Sequence, residues 1–589
     1  MTDKTIILPL LADDCAERIC RDDMLQEGTA LLQVDDSQQE RPAASAEGQS
    51  TWRMRGASAE QLHEWAPVFL NAMMDHDTGG HLAQNIMTRY LHGIHLNSMY
   101  SGMGGAEMAM NTILAAIETK FDLGNKSGGS AFYSACGIAP VCRTVLLRQH
   151  AEDSPHLHVR HVFGDIMERI PSGTLADLKK LYAEYKEVYE AATGGGAGRC
   201  NRARRPKRQR GGRSGKAAEI DLAEQLGKQM MHDMIEVLQK VKPNASDFAA
   251  SADGCPRFEN RGWCYKCRRL CRLYGPKESV RAQWPAVFRL VVAGTTCTTW
   301  SSMGLRRQWC AWSAVVFVVW CFVTLGDLPD AIMHECTQHF STEFLELIFG
   351  EKYVISSFVF GPREMGFPCT RTRRYTLMLR RSRCMAQLCF ELDFQRVFFR
   401  DCICTGHCFW AAPTEEVMEA LADMAVRKGL PRTKPDGTPW DWRDVFPFYE
   451  LKHLVAYEKL CSRMRRRSIA KCIVNLSQTP SFMKTQTDVA PALLRSTSSL
   501  FSMAHGRPMV TSEYMSVQGV PTNVVGRLRK DRFPVELCLA DKQLSRREAA
   551  SLAGNSFHQG AVGGVLLFLL ASTTLGSEGA GRAAIESEF

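Results

Sequence analysis

The sequence predicts an α/β fold: a doubly wound, mostly parallel sheet, with a smaller mixed domain toward the C-terminus and a disordered leader at the N-terminus. Three observations carry this. Short apolar runs that read as buried strands alternate with apolar stripes at helical spacing. A glycine-rich turn, Ser101-Gly-Met-Gly-Gly105, falls between one such run and a helix-like stretch. Titratable residues recur just past the expected strand ends, the edge of an open α/β sheet where ligands bind.

Taken in order, residues 1–58 mix acids, Ser, Gln and Ala with little periodicity and read as the disordered leader. A catalytic domain is expected over 59–380. Its first strand is placed at Leu91–Tyr100, followed by the glycine turn and a helix over Ala106–Lys120. A turn of this kind lets backbone amides approach a ligand at a helix N-terminus, although tight turns also need glycine for steric reasons alone. Ala131–Ala135 reads as a strand, Val141–Gln149 as a helix, and His161–Asp165 as a strand ending in an acid. The stripe of Leu175, Leu178, Leu181, Tyr182, Tyr185 and Val188 has helical spacing and is read as core packing.

Residues 192–280 read as an insertion. Gly194–Lys216 is rich in Gly and Arg and is expected to lack regular structure; its arginines, Arg204 and Arg205 among them, suit nuclear import, phosphate contact or a solvated tether. A helix follows over Ala217–Lys240. Then Cys255, Cys264, Cys267 and Cys271 form a C-x8-C-x2-C-x3-C pattern, a weak candidate for a zinc site closed by four thiolates. Cys402, Cys404, His407 and Cys408 are a weaker cluster of the same kind.

The run Val287–Ala293 reads as a buried strand feeding the turn Gly294–Gly304, which carries Cys297. A thiol held at such a strand end can act as a nucleophile when its thiolate is favoured. A buried helix is expected to reach Leu325, and Asp330–Glu335 reads as a strand ending in Glu335. Tyr353–Phe360 and Tyr375–Leu379 look like a strand pair joined by a loop holding Arg371 and Arg373. Residues 381–505, aromatic and basic, include Arg463, Arg465, Arg466 and Arg467 and are expected to form the smaller domain. Residues 506–575 return to regular pattern, Gly554-Asn-Ser556 opens a last apolar helix, and 576–589 is a tail.

Composition sets the class. At 589 residues, with 45% hydrophobic and 23% charged residues, the chain is long enough for several domains and an ample core. Its 22 cysteines are irregularly spaced and no signal-peptide pattern opens the chain, so they are read as reduced, in the nucleus or the cytoplasm. The net charge of +9 equals the local excess of Lys and Arg over 194–216, a segment without acids. The apolar run Ala311–Leu325 is shorter than the ~20 residues of a spanning helix, so no membrane segment is expected. The sequence leaves the oligomeric state open.

Several blocks together resemble the cytosine-5 DNA methyltransferase family. Tyr100-Ser-Gly-Met-Gly-Gly105 is similar to the family's first motif, the turn that holds S-adenosylmethionine. Gly164-Asp165-Ile166 resembles the motif whose Asp meets the adenine amino group. Gly294–Gly304 resembles the Pro-Cys-Gln loop, which implies Cys297 as nucleophile. His334-Glu335-Cys336 falls at the Glu-Asn-Val motif, and Gly366–Arg373 at the Gln-x-Arg-x-Arg motif. Val517-Gln518-Gly-Val-Pro521, preceded by Glu513, looks like the ninth motif, and Gly554-Asn555-Ser556 like the tenth.

The resemblance implies a Rossmann-like methyltransferase fold with S-adenosylmethionine in contact with Tyr100, Ser101, Gly102, Gly104, Gly105, Asp165, Ile166, Asn555 and Ser556. It implies catalysis by Cys297, Glu335, Arg371 and Arg373 on a flipped base of DNA, or of RNA on the same fold. A catalytically silent nucleic-acid binder on the same fold is a third reading. Residues 381–505 would read the target, with Gln518 and the 463–467 arginines contacting nucleic acid. The chain departs from the family pattern at Ser98, Gly137, Thr296, Thr298, Cys336 and Cys369, which stand where Asp, an acid, Pro, Gln, Asn and Gln are usual.

Overall fold

Runs of apolar residues whose side chains alternate between two cores build the central sheet. In β6 (Phe288–Gly294), Phe288, Leu290 and Val292 enter one core while Val291 and Ala293 enter the other. In β7 (Ala331–Thr337), Ala331 and Met333 face the first core and Ile332 the second, and every residue is buried. This two-residue period, apolar on both faces, marks a strand covered by helices on each side.

The computed structural model describes residues 62–123, 131–148, 157–192, 213–241, 261–272, 287–296, 299–300, 308–463, 472–482, 488–493, 499–522 and 533–576. The expected leader lies outside the described residues, as do Arg204, Arg205, Cys255, Cys297, Arg465, Arg466 and Arg467.

The remaining strands of the nine-stranded sheet are β1 (Ile94–Met99), β2 (Ala131–Cys136), β3 (Leu157–Phe163), β4 (Arg261–Cys264), β5 (Arg269–Arg272), β8 (Tyr353–Phe360) and β9 (Arg373–Arg380). Their spatial order is β5-β4-β3-β2-β1-β6-β7-β9-β8. The run β3-β2-β1-β6-β7 is parallel, and the flanking pairs are antiparallel. The fold is thus the expected doubly wound α/β sheet. Chain order reverses between β1 and β6, the topological switch point at which such sheets bind ligands.

Helices Trp65–His76, His81–His92, Gly105–Phe121, Phe390–Phe398 and Gln559–Ser572 contribute to the core on one face. Helices Ser172–Ala192, Arg213–Gln239, Trp312–Asp327 and Glu343–Phe349 cover the other. The apolar run near Leu325 is the helix Trp312–Asp327, buried from Ala314 to Thr324 apart from Val316. Among the described residues no helix is long and apolar enough to cross a membrane.

Some boundaries moved. The first strand starts at Ile94 rather than Leu91, because residues 91 and 92 finish the helix His81–His92 and Gly93, at φ 91°, breaks it. The helix expected over Ala217–Lys240 begins at Arg213, within the stretch expected to be irregular.

Beyond the sheet, β10 (Cys384–Ala386) pairs with the last described strand, Thr573–Leu575. A separate small core follows. Helices Thr414–Arg427, Trp442–Val445 and Phe448–Arg463 pack Leu421, Met424, Val445, Leu454 and Tyr457 against an antiparallel sheet of β11 (Ile473–Asn475), β12 (Leu500–Ser502) and β13 (Arg507–Pro508). A buried Glu513 ties this unit to the sheet domain. It takes a bidentate ion pair from Arg507, with Nη2–Oε1 at 2.6 Å and Nη1–Oε2 at 2.9 Å, and accepts the backbone N–H of Ala412 and Val510. The chain then returns through helices Thr511–Val517, Pro534–Ala540, Arg546–Asn555 and Gln559–Ser572 to β14 (Thr573–Leu575).

Candidate active site

Strand register brings the ends of β1, β2, β3, β6 and β7 to one edge. Met99 pairs with Cys136 and with Ala293, Cys136 with Phe163, and Gly294 with Glu335. Just past β1, Tyr100 has φ 57°, a left-handed conformation that a bulky side chain rarely adopts. Its hydroxyl donates to the Val316 carbonyl at 3.1 Å, which holds the residue in that conformation. Gly102 and Gly104 are also left-handed, at φ 55° and 84°, so the chain turns sharply and opens the helix Gly105–Phe121.

The turn is bound into the sheet. The Ser101 amide donates to the Cys136 carbonyl, and its hydroxyl accepts from the Cys136 amide, both at 3.0 Å. Asp165, half-buried past β3, accepts the Met167 amide at 2.9 Å, and burial pushes its carboxyl above the usual range. Ile166 beside it is buried. From the other side, the carbonyl of Asn555 lies 3.7 Å from where a Gly102 Cβ would stand, so the two blocks face each other. Asn555 is exposed; the Ser556 hydroxyl is buried and turned onto the carbonyls of Ala553 and Phe557.

On the far side of the switch point, Glu335 lies near the end of β7, buried at 7% exposure. The Nε of Arg373 meets its Oε1 at 2.9 Å. A Cβ on Gly294 would stand 3.4 Å from Glu335 Oε2 and 2.8 Å from the Phe557 ring, so only glycine lets β6 pass this close. The next residue is fixed twice: the Thr295 amide donates to the Glu335 carbonyl at 3.2 Å, and its hydroxyl meets His334 Nε2 at 2.8 Å. Burial among Trp320, Phe340 and Phe317 lowers the His334 pKa to about 3, so the ring is neutral. The described chain therefore clamps Thr295, at the start of the Gly294–Gly304 turn, beside Glu335. Cys297, two residues further on, lies outside the described residues.

The two arginines divide their work. Arg373 pairs with Glu335, while Arg371 reaches the returning chain at 554–556. Its guanidinium donates to the carbonyls of Gly554, at 3.2 Å, and Ser556, at 2.7 Å, at the C-terminal end of the helix Arg546–Asn555. Arg371→Ala should lower stability by about 3 kcal/mol, because charge-assisted bonds vanish and buried carbonyls lose their donor. A denaturant midpoint measurement checks this, and Arg371→Lys should restore only part of the loss.

No family model matches the sequence. No curated protein matches it either. Solved structures do. The Entamoeba histolytica methyltransferase EhMeth aligns at 10% identity over 81% of this chain and 97% of that one, with a TM-score of 0.34. The S. pombe Dnmt2 methyltransferase aligns at 12% identity over 81% and 98%, with a TM-score of 0.33.

Gln518, expected to contact nucleic acid, is 1% exposed, and its carbonyl accepts the Gln559 amide at 2.8 Å: it joins two helices inside the core. Arg463 is exposed at the end of its helix on the small unit. Of the proposed four-thiol set, Cys264, Cys267 and Cys271 converge, and they do so on His161. In the weaker cluster, His407 turns its Nδ1 to the Ser502 hydroxyl at 2.8 Å.

Sequence reasoning missed Glu107. At Ser98, where the resemblance places Asp, the carboxyl comes instead from this fully buried residue of the helix Gly105–Phe121. Ser98 donates to Glu107 and also meets Ser101, which joins the helix, β1 and β2 in one polar chain. Burial raises the Glu107 pKa from 4.5 to about 7, against the lowering effect of those hydroxyls. The folded state therefore holds the proton more tightly than the unfolded chain. The resulting penalty is absent below the unfolded value, grows as pH rises, and is complete above about 7. Relative to wild type, Glu107→Gln should gain about 3 kcal/mol at pH 8 and almost nothing below pH 4.5. Urea unfolding across that range measures the difference.

Proposed function

We propose that this chain transfers a methyl group from S-adenosylmethionine to carbon 5 of cytosine in DNA, through a covalent bond to Cys297. One juxtaposition supports the reading most. A buried carboxylate, Glu335, is held by Arg373 beside the glycine that leads into the Cys297 turn. Across the switch point from them stands a left-handed glycine turn, Gly102–Gly104, with Asp165 past β3, two strands away.

The residues around that turn suit S-adenosylmethionine. The turn carries no side chain at Gly102 and Gly104, so backbone amides are open to a carboxylate at the start of a helix. Asp165 offers an acceptor for an adenine amino group. Gly137 offers no acid for ribose hydroxyls, so the grip is weaker there. When bound, S-adenosylmethionine supplies a methyl group on a positively charged sulfur that departs with the bonding pair.

The chain's own residues do the rest. The Cys297 thiolate adds to carbon 6 of the ring, forming a carbon–sulfur bond and moving an electron pair toward carbon 5. Glu335 meets ring nitrogen 3 with a shared proton and neutralises charge as it builds there. Arg373 fixes the orientation of that carboxylate and adds a positive charge near the carbonyl oxygen on ring carbon 2. Carbon 5 then bonds to the methyl group, loses its proton to a base, and the Cys297 sulfur leaves with its bonding pair, restoring the ring. The base must be out of the helical stack to reach this site.

The test is product analysis with a labelled methyl donor, offered duplex DNA and RNA separately. 5-Methylcytosine in DNA is the expected product. Label in RNA alone would move the substrate to RNA, and no label in either would leave a nucleic-acid binder without catalysis.

A further inference from the structure

The inserted hairpin raises a question of what holds it. Strands β4 and β5 form a short antiparallel pair whose apolar residues point outward: Trp263, at 45% exposure, lies opposite Leu270, at 62%. Arg261, Arg268 and Arg269 are exposed as well. The hairpin joins the sheet by one ladder pair, Phe163 with Cys264, and by the Tyr265 amide donating to the Val162 carbonyl at 2.8 Å. A two-stranded unit with so little apolar burial needs a cross-link to stay folded.

Four metal-binding side chains meet where one would act. His161 on β3, Cys264 at the end of β4, Cys267 in the turn and Cys271 on β5 have ligand atoms that all lie within 4.8 Å of one another. His161 Nδ1 is 3.7 Å from the Cys264 sulfur and 3.6 Å from the Cys267 sulfur. Zinc bonds of about 2.3 Å to sulfur and about 2.0 Å to nitrogen, at a tetrahedral angle, put sulfur and nitrogen about 3.6 Å apart. The observed spacings match that edge.

The turn supports the same chemistry. Arg268 is left-handed at φ 52°, and its amide donates to the Cys264 carbonyl at 2.8 Å. This tight bend aims the Cys267 amide at the Cys264 sulfur, 3.4 Å away, a donor suited to a metal-bound thiolate.

We infer that His161, Cys264, Cys267 and Cys271 form a structural zinc site that clips the inserted hairpin to the edge of the sheet. The site is closed, with four protein ligands and no position for substrate. Its place gives it a consequence for the neighbourhood of Asp165. Tyr265, between two of the ligands, lies against Gly164, the residue before Asp165; a Cβ there would be 3.1 Å from its ring. The Arg143 guanidinium covers the same ring at 4.3 Å. Zinc binding thus fixes the wall beside Asp165. The inference stands whether or not the chain methylates cytosine.

The experiment measures metal in the purified full-length chain, prepared with reductant and zinc. A single bound zinc that survives dialysis against a mild chelator is expected. Cobalt in its place should give the intense red-region bands of a tetrahedral site together with thiolate charge-transfer absorption. Cys267→Ser and His161→Ala should each lower zinc retention at least about tenfold, since each removes a ligand. Cys255→Ser should retain the full amount. Wild-type protein that binds no zinc, an octahedral cobalt spectrum, or zinc lost equally from Cys255→Ser would overturn the assignment. The wild-type metal content and cobalt spectrum decide the matter even if a variant fails to fold.

Discussion

A DNA duplex with fluorine in place of hydrogen at carbon 5 of the target cytosine will stay covalently attached to the wild-type chain in the presence of S-adenosylmethionine. The Cys297→Ala variant will form no adduct. Release of the sulfur requires loss of a proton from carbon 5, and with fluorine there that proton does not exist, so elimination stalls after methyl transfer. A denaturing gel followed by peptide mass analysis reads the outcome directly. The clamp behind the turn makes this effect the largest expected. Thr295 is bonded to both Glu335 and His334, so a side-chain truncation at residue 297 removes the sulfur while these anchors remain. An adduct on Cys297→Ala, or none from a wild type that methylates ordinary duplex, would take the residue out of the mechanism.

The second large effect is at Glu335. Glu335→Gln keeps the shape of the side chain but removes the negative charge and the ability to share a proton with ring nitrogen 3. Methyl transfer should slow by about 10²–10⁴-fold while duplex affinity changes little. The reason lies in placement. Glu335 is buried and paired with Arg373 at 2.9 Å, so it is withdrawn from the surface that phosphates would meet. Single-turnover rates alongside duplex titrations separate the two quantities. If binding falls as far as the rate does, Glu335 holds the nucleic acid and has no separate part in the chemistry.

Local signals made the sheet readable. The Val287–Ala293 run, the acid-ended run at 330–335 and the glycine turn after β1 each announce themselves within about ten residues. What could not be read depends on partners far apart in the chain. Arg371 and Arg373 look interchangeable in sequence; only the return of residues 554–556 gives one of them two carbonyls and leaves the other to Glu335. His161 stands 103 positions from Cys264, and no spacing rule joins them. Glu107 sits in a helix and substitutes in space for an acid expected on a strand, so a motif comparison along the chain passes over it. Gln518 resembles a surface contact by its neighbours in sequence, yet two helices close over it.

The helix Gln559–Ser572, buried along its whole length, packs on helices that begin at residues 65, 81 and 105, and the strand after it pairs with residues 384–386. During synthesis, the helices that begin at residues 65, 81 and 105 must therefore wait for residues 559–572 before their apolar faces are covered. A ribosome that stops short of residue 559 would release a chain with an open seam along that face, a substrate for chaperones and proteases. Supplied separately, the missing segment would have a ready groove to fill.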